Sequence, residues 1–136
     1  MRMLNPLVLG VASLWVLVNP SFADAQQPLV RLEVKPTKPA FGVWNKPTVL
    51  RSVEDAAKFF DAEALASLKK KVDFKKQFVL LFAWKGSGGD RLNFAIAESF
   101  PEQIFFSRKP GATDDFRSHV HVFALRSNVR WSVRAK

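Results

Sequence analysis

Phe78-Val79-Leu80-Leu81-Phe82-Ala83-Trp84 is an apolar run, and it decides the fold class of this chain. The run has the length of a strand and is rich in aromatic and branched side chains. A strand without a polar side chain on either face belongs inside a sheet that is covered on both sides. We therefore expect residues 78–84 to form a central strand of the domain.

A glycine-rich turn from Lys85 to Asp90 follows this run, and a second strand follows the turn. In that strand Leu92, Phe94 and Ile96 alternate with polar or small residues, which is the period of a half-buried strand. Two strands joined by so short a turn predict a hairpin. The turn is rich in glycine like a phosphate-binding loop, but it lacks the Gly-Lys-Ser or Gly-Lys-Thr ending that leads into a helix.

The remaining sequence predicts four further strands and two helices. Alternating or apolar stretches predict strands at 29–35, 103–107, 119–125 and 130–134. Ser52 and Asp61 are good N-cap residues, so short helices are expected over 53–60 and from 62 to 71. Helices followed by grouped strands are typical of an α+β domain. We predict one or two short helices packed on a mostly antiparallel sheet of about five to six strands.

The first residues have the three-part order of a secretory signal. Arg2 supplies a positive charge, an apolar run extends from Leu7 to Val18, and Ala23-Asp24-Ala25 provides the small residues that a signal peptidase requires. The apolar run is shorter than the about 20 residues of a membrane-spanning helix. We predict a signal peptide over residues 1–25 and a single domain over residues 26–136. The mature protein is then periplasmic or secreted and has no membrane span.

The composition excludes several classes of function. The chain has no cysteine, which removes disulfide staples, a thiol nucleophile and the lipid anchor of bacterial lipoproteins. Its 21 lysine and arginine residues outnumber its 12 acidic residues, for a formal net charge of +9. So basic a surface attracts polyanions in general, although the same charge also keeps a protein soluble. No loop or cluster indicates a cofactor, and we predict none.

Two histidines form the one spacing that suggests a metal. His119 and His121 are two apart in a predicted strand, so both imidazoles point to the same face. A third ligand would come from the Asp114-Asp115 pair, and we take Asp115 as the candidate. Phe123 continues the same face, so the alternative is that this face belongs to the core.

A basic and aromatic edge closes the chain. Arg126, Arg130 and Arg134 accompany Trp131, and Arg130 and Arg134 share one face of the last predicted strand. We take the three arginines as candidate partner-binding residues. The alternative is that they protect an edge strand from pairing with another chain. No nucleic-acid-binding motif accompanies the charge, and an exported location argues against that partner.

The stretch from Val72 to Val133 resembles a group of small exported bacterial proteins of unknown function. The likeness lies in Val72-Asp73-Phe74 before the apolar run, in Gly86-Ser87-Gly88, and in His119-Val120-His121-Val122-Phe123 followed by Trp131. A fainter resemblance is to the C-terminal domain of protease-complex-associated polypeptides, whose turn carries Thr-Gly-Gly-Tyr. Here Ser87-Gly88-Gly89-Asp90 lacks both the Thr and the Tyr. The resemblance implies fold more than function, and it favours a non-catalytic protein-binding module.

These observations lead to two hypotheses of function. The first is a non-enzymatic binding module for a protein or an anionic cell-envelope partner. The alternative is a small metal-dependent protein or hydrolase that uses His119 and His121. No serine occupies the strand-to-helix elbow of a hydrolase nucleophile, which favours the first hypothesis and leaves enzymatic activity open.

Overall fold

A computed structural model describes residues 27–134 as a domain of two helices and two β-sheets in three layers. The predicted signal peptide lies outside the described residues. In chain order the elements are β1 (Leu29–Leu32), β2 (Thr48–Leu50), α1 (Val53–Ala56), α2 (Ala62–Lys71), β3 (Gln77–Ser87), β4 (Arg91–Ala97), β5 (Gln103–Lys109), β6 (Phe116–Arg126) and β7 (Arg130–Arg134). We call the four-stranded sheet, ordered β1-β6-β3-β2, sheet A and the three-stranded sheet, ordered β4-β5-β7, sheet B.

Sheet A is antiparallel throughout and forms the middle layer. β3 is one of its two interior strands, and its residues 77–84 are all buried. Val79 and Leu81 of β3 belong to the core under the helices, whereas Leu80 and Phe82 belong to the core between the two sheets. The prediction that residues 78–84 form a central strand covered on both faces is confirmed.

Both helices begin where the capping residues predict. The side chains of Ser52 and Asp61 accept hydrogen bonds from first-turn N–H groups, at 3.1 Å and 2.8 Å. α1 is a single turn and is shorter than the predicted 53–60. α2 ends in three lysines, which suits the negative end of the helix dipole, and buries Leu68 against sheet A. Within residues 27–134 no helix is long and apolar enough to cross a membrane.

Sheet B covers the face of sheet A opposite the helices, and aromatic rings fill the space between the sheets. The ring of Phe82 in β3 lies 4.9 Å from that of Phe106 in β5, measured between centroids. Phe106 in turn lies 5.3 Å from Phe123 in β6. All three side chains are fully buried, so this aromatic cluster is the centre of the inter-sheet core.

The predicted single sheet of about five to six strands requires correction, because the structure has seven strands in two sheets. The α+β class and the mostly antiparallel pairing are confirmed. The additional strand is β2, which is three residues long and too short to show an alternation. The predicted hairpin of β3 and β4 is also absent. β3 pairs with β6 along its whole length, and β4 pairs with β5.

The pairing of β3 explains why that hairpin does not form. β6 lies on one side of β3 and β2 on the other, so β4 has no edge of β3 with which to pair in sheet A. In the second sheet β4 buries Leu92 in the inter-sheet core. Phe94 stays 40% exposed, although its ring lies 5.9 Å from that of Phe123. Burial of two apolar faces against each other outweighs the local tendency of a short turn. The turn at 127–128 makes the same crossing between β6 and β7.

The glycines of the β3–β4 turn are required by close approach to a second loop. No glycine in residues 27–134 has a positive φ. A Cβ at Gly88 would overlap the Asp115 carboxylate, and one at Gly111 would overlap the backbone of Gly89. Gly88 N also donates a hydrogen bond to Asp115 Oδ1 at 3.1 Å. The turn and the loop 110–115 therefore lie against each other and close one end of the sandwich.

Candidate binding surface

The surface of sheet B that faces away from sheet A is formed by alternate residues of its three strands. In β5 and β7 every second side chain points toward the core, and the others point outward. The register places the outward residues in four rows across the sheet. These rows are Ala97–Gln103–Arg130, Ala95–Phe105–Ser132, Asn93–Ser107–Arg134 and Arg91–Lys109. We call this set of residues the outer face.

Four cations occupy the outer face. Arg91 and Lys109 are paired opposite each other at one end, and Arg134 lies in the neighbouring row. Arg130 lies in the row at the opposite end. Arg91, Lys109, Arg130 and Arg134 are all exposed. Because the sheet backbone holds these cations on one face, the outer face has a positive potential that attracts anions.

No acid offsets this charge within the outer face. Within the described residues 27–134, the strands of sheet B contain no aspartate or glutamate. Glu102 directly precedes β5, but its carboxylate forms an ion pair with Arg126 of sheet A. This pairing engages one acid next to the outer face, whereas Glu98, which directly follows β4, is exposed.

Phe105 lies in a central row of the outer face and has a cavity beside it. The guanidinium of Arg134 lies 4.1 Å from the centroid of the Phe105 ring, which is a cation–π contact. Residues 103–105 and 130–132 line a cavity of about 220 Å³. The outward side chains among them are Gln103, Phe105, Arg130 and Ser132. An amide, an aromatic ring, a guanidinium and a hydroxyl therefore surround one opening.

The structure separates the three arginines that the sequence predicts as partner-binding residues. Arg130 and Arg134 lie together on the outer face, as the alternation of the strand predicts. Arg126 instead ends β6 in sheet A. Its guanidinium forms the ion pair with Glu102, and its Nε donates to Asn128 Oδ1 at 2.6 Å. Arg126 therefore holds two chain connections together and does not extend the outer face.

Sequence reasoning missed Arg91, Lys109 and Phe105 as members of this surface. Phe105 occupies an outward position of a predicted strand, whereas Arg91 and Lys109 lie just outside the predicted strands, which the structure extends to include them. The shared signal was the absence of acids from all three strands. The sequence does not indicate that β7 pairs with β5 in parallel. That pairing alone brings Arg130 and Arg134 next to the other cations.

His119 and His121 lie on one face of β6 and stack on Trp84 of β3. The ring centroids are 4.8 Å apart for His119 and 5.5 Å apart for His121, with the planes nearly parallel. His119 Nε2 donates to the carbonyl oxygen of Ser87 at 2.7 Å. Arg31 Nη1 donates to His121 Nδ1 at 3.1 Å. Both histidine rings thus stack and form hydrogen bonds within the protein at the edge of the inter-sheet core.

Burial and neighbouring positive groups lower the pKa of His121 to about 4. Partial burial is the largest cause, and the charge of Arg31 and the proximity of His119 add to it. His121 is therefore neutral at pH 7. Its Nδ1 can then act as the acceptor for Arg31.

Asp115, the predicted third metal ligand, also has partners within the protein. Its Oδ1 accepts from Gly88 N and from the Thr113 hydroxyl, and its Oδ2 accepts from Arg117 Nε at 2.6 Å. The bond from Thr113, followed by that from Arg117, lowers the pKa of Asp115 to about 2. Among the described residues, no group of three or more acidic or histidine side chains is arranged to hold a metal ion.

A buried carboxylate, that of Asp90, joins the two sheets at the closed end of the sandwich. Asp90 is 5% exposed and accepts hydrogen bonds from Trp84 Nε1 (3.0 Å) and Gly111 N (2.7 Å). Arg108 Nη1 lies 3.7 Å from Asp90 Oδ2. Burial acts to raise the pKa of Asp90, but the bonds from Gly111 and Trp84 and the charge of Arg108 hold it below 3.8. Because its partners satisfy it, Asp90 is a structural anion that couples β3 to β5.

Comparisons of the chain with protein-family models, with curated proteins and with solved structures found no match. The resemblances drawn from Val72 to Val133 therefore stay predictions. We take the outer face, with its charge and its cavity, as the candidate binding surface.

Proposed function

We propose that this chain is an exported, non-enzymatic binding module whose outer face binds an anionic partner, either a protein or a component of the cell envelope. The observation that carries the proposal is the charge of the outer face, which has four cations and no acid on three neighbouring strands. The backbone ladder of sheet B fixes the spacing of these cations. A preorganised surface loses less conformational entropy when it binds.

The distribution of charge separates this face from an ordinary soluble surface. Soluble surfaces intersperse both signs of charge. The helix side of the domain does so, since the first turns of its helices carry Glu54, Asp55 and Glu63 and the last turn of α2 carries lysines. The outer face carries one sign only. Arginine also binds carboxylates and phosphates with two parallel hydrogen bonds, which favours its use in recognition.

The test measures binding of the mature domain to polyglutamate and to phosphatidylglycerol vesicles at several salt concentrations. We expect binding that weakens as salt rises, because exposed charges are screened. The double variant Arg130→Gln/Arg134→Gln should bind at least about tenfold more weakly, the equivalent of about one charge-assisted hydrogen bond.

The matched control is Lys58→Gln/Lys71→Gln, which removes the same charge from the helix side. Both lysines are exposed. The control should bind as the wild type does. Equal loss of binding in the two double variants would show that net charge alone is responsible and would contradict the proposal.

Export is the second part of the proposal and has its own measurement. The mature protein is expected in the periplasmic fraction or the medium, with Gln26 as its first residue, because cleavage follows Ala25. Intact-mass spectrometry of each fraction identifies the N-terminus. A chain that begins at Met1 and stays in the cytoplasmic fraction would overturn this part.

A further inference from the structure

We infer that the outer face binds an acidic polysaccharide, with one carboxylate-bearing sugar ring held in the cavity beside Phe105. This inference rests on the proposed function, because it names the chemical class of the anionic partner. It is carried by three observations: the groups that line the cavity, the spacing of the cations, and the scarcity of apolar side chains on the face.

The cavity offers each kind of group that an acidic sugar requires. Arg130 can pair with a carboxylate through two parallel hydrogen bonds. Gln103 and Ser132 supply an amide and a hydroxyl for sugar hydroxyl groups. The Phe105 ring supplies an apolar surface for the C–H groups of the sugar. A cavity of about 150 Å³ holds a benzene ring, so the about 220 Å³ available here admits one six-membered ring.

The remaining cations extend from the cavity in one direction. Arg130 and Arg134 lie four residues apart on the same side of β7, which corresponds to about 13 Å of strand. Ser132 and Phe105 occupy the row between them. Beyond Arg134, the Arg91–Lys109 pair continues the path along the strands. A polymer that carries an anion at regular intervals therefore meets cations at both ends of the face and hydroxyl or aromatic groups between them.

The outer face lacks what a protein partner needs at the centre of an interface. Protein interfaces exclude charge from an apolar, aromatic-rich core and place polar groups on the rim. The apolar outward residues here are Ala95, Ala97 and Phe105, which is too little to form such a core.

The outer face is equally poor in the stacking surfaces that single-stranded nucleic acids use. Such proteins stack successive bases on several aromatic side chains along a basic groove. Within the three strands, Phe105 is the one aromatic residue at an outward position. The guanidinium of Arg134 already covers one side of its ring. A sugar ring requires only the side that faces the cavity.

The experiment titrates the mature domain with an oligogalacturonate by calorimetry. Three other ligands serve as comparisons: the methyl ester of the same oligosaccharide, polyglutamate and a single-stranded oligothymidylate. We expect the oligogalacturonate to bind most tightly, and at least about tenfold more tightly than its uncharged ester.

The variants separate the cavity from the general charge of the face. Arg130→Gln is expected to weaken oligogalacturonate binding about tenfold. Phe105→Leu keeps the cavity apolar but removes the flat ring, and should weaken binding severalfold. Lys58→Gln/Lys71→Gln should have no effect. A thermal melt checks that each variant is folded, and the ester comparison on the wild type does not depend on any variant.

The outcomes distinguish this inference from the proposed function. If polyglutamate or oligothymidylate binds as tightly as the oligogalacturonate, or if Phe105→Leu is folded and binds unchanged, the polysaccharide inference falls while the cationic binding face stands. If no ligand shows binding that depends on Arg130 and Arg134, both proposals fall together.

Discussion

The two sheets share one interface but differ in what covers their second face. β3 of sheet A has eight consecutive buried residues from Gln77, because helices cover its other side. β5 of sheet B buries only Ile104 and Phe106, and its other residues are partly or fully exposed. Covering both faces demands a continuous apolar strand, whereas one covered face leaves alternate positions free for binding chemistry. Sheet A therefore provides stability, and sheet B presents the candidate function.

The largest effect in this comparison is expected from Phe82→Ala. Phe82 is fully buried between the sheets and contacts Phe106 and Phe123. Its removal leaves a cavity that the surrounding strands can only partly fill, so the free energy of unfolding should fall by about 3–5 kcal/mol. Urea denaturation of the mature domain measures this change.

Phe105→Ala provides the matched control for Phe82→Ala, since it makes the same chemical change on the outer face. Phe105 is only half-buried. We expect a loss of about 1 kcal/mol or less, because substitutions at the surface rarely cost more. Equal losses at the two positions would contradict the division of roles between the inner and outer faces of sheet B.

A second large effect is expected where Asp90 connects the sheets. Asp90→Ala removes the carboxylate partner of Arg108 and leaves the Trp84 and Gly111 donors without their acceptor, at a cost of about 3 kcal/mol. Because the pKa of Asp90 in the folded state lies below 3.8, its stabilising contribution is present above that pH. It is lost as the pH falls through the folded value.

The difference in stability between the wild type and Asp90→Ala should accordingly narrow in strongly acidic buffer. Asp114→Ala, which removes an exposed carboxylate from the neighbouring loop, should change stability by no more than about 0.5 kcal/mol. A constant gap between the wild type and Asp90→Ala from neutral to strongly acid pH would refute the role assigned to the Asp90 charge.

A smaller effect is expected at the rim of the sandwich, where His121 is only partly covered. The unfolded chain binds a proton near pH 6.5, whereas folded His121 stays neutral until about pH 4. Folding is therefore progressively destabilised as the pH falls from about 6.5 to about 4, and the loss levels off below that range. His121→Gln should reduce this slope in urea denaturation. An NMR titration in which the His121 ring protonates near pH 6.5 would disprove the predicted pH dependence of folding.

The smallest effect concerns the helix layer that covers the other face of sheet A. Asp61→Ala removes the side-chain oxygen that caps α2 through Ala64 N. The expected cost is about 1 kcal/mol. Asp61→Asn keeps an acceptor and should recover most of that loss. If both variants were as stable as the wild type in urea, the Asp61 cap would contribute nothing to the stability of α2 on sheet A.

Much of the local structure could be predicted from the sequence. The apolar run at 78–84 predicts a strand covered on both faces, and Ser52 and Asp61 predict the starts of both helices. The hairpin of β3 and β4 was the wrong prediction, because short turns favour hairpins only when nothing else competes. Here β6 and β2 occupy both edges of β3, and β4 instead buries Leu92 in the inter-sheet core. Alternation reports that one face of a strand is covered, but not which strand covers it.

The candidate site was only partly predicted, because the sequence shows the face of each strand on which a residue lies but not which strands are neighbours. The side on which Arg130 and Arg134 lie follows from the two-residue period of a strand. Arg126 departs from them because β6 belongs to sheet A, where the Arg126 guanidinium pairs with Glu102, a residue 24 positions away. The inclusion of Arg91, Lys109 and Phe105 depends on the pairing of β4, β5 and β7.

The sequence by itself determined the basic charge, the absence of cysteine, the α+β class and the faces of the individual strands, since each of these depends on composition or on near neighbours. Only the tertiary structure decided that the strands form two sheets and that four cations meet on one face without an acid. The reason is physical: neighbours within a sheet are selected by long-range burial of complementary apolar faces, and residues far apart in the chain contribute to that burial together.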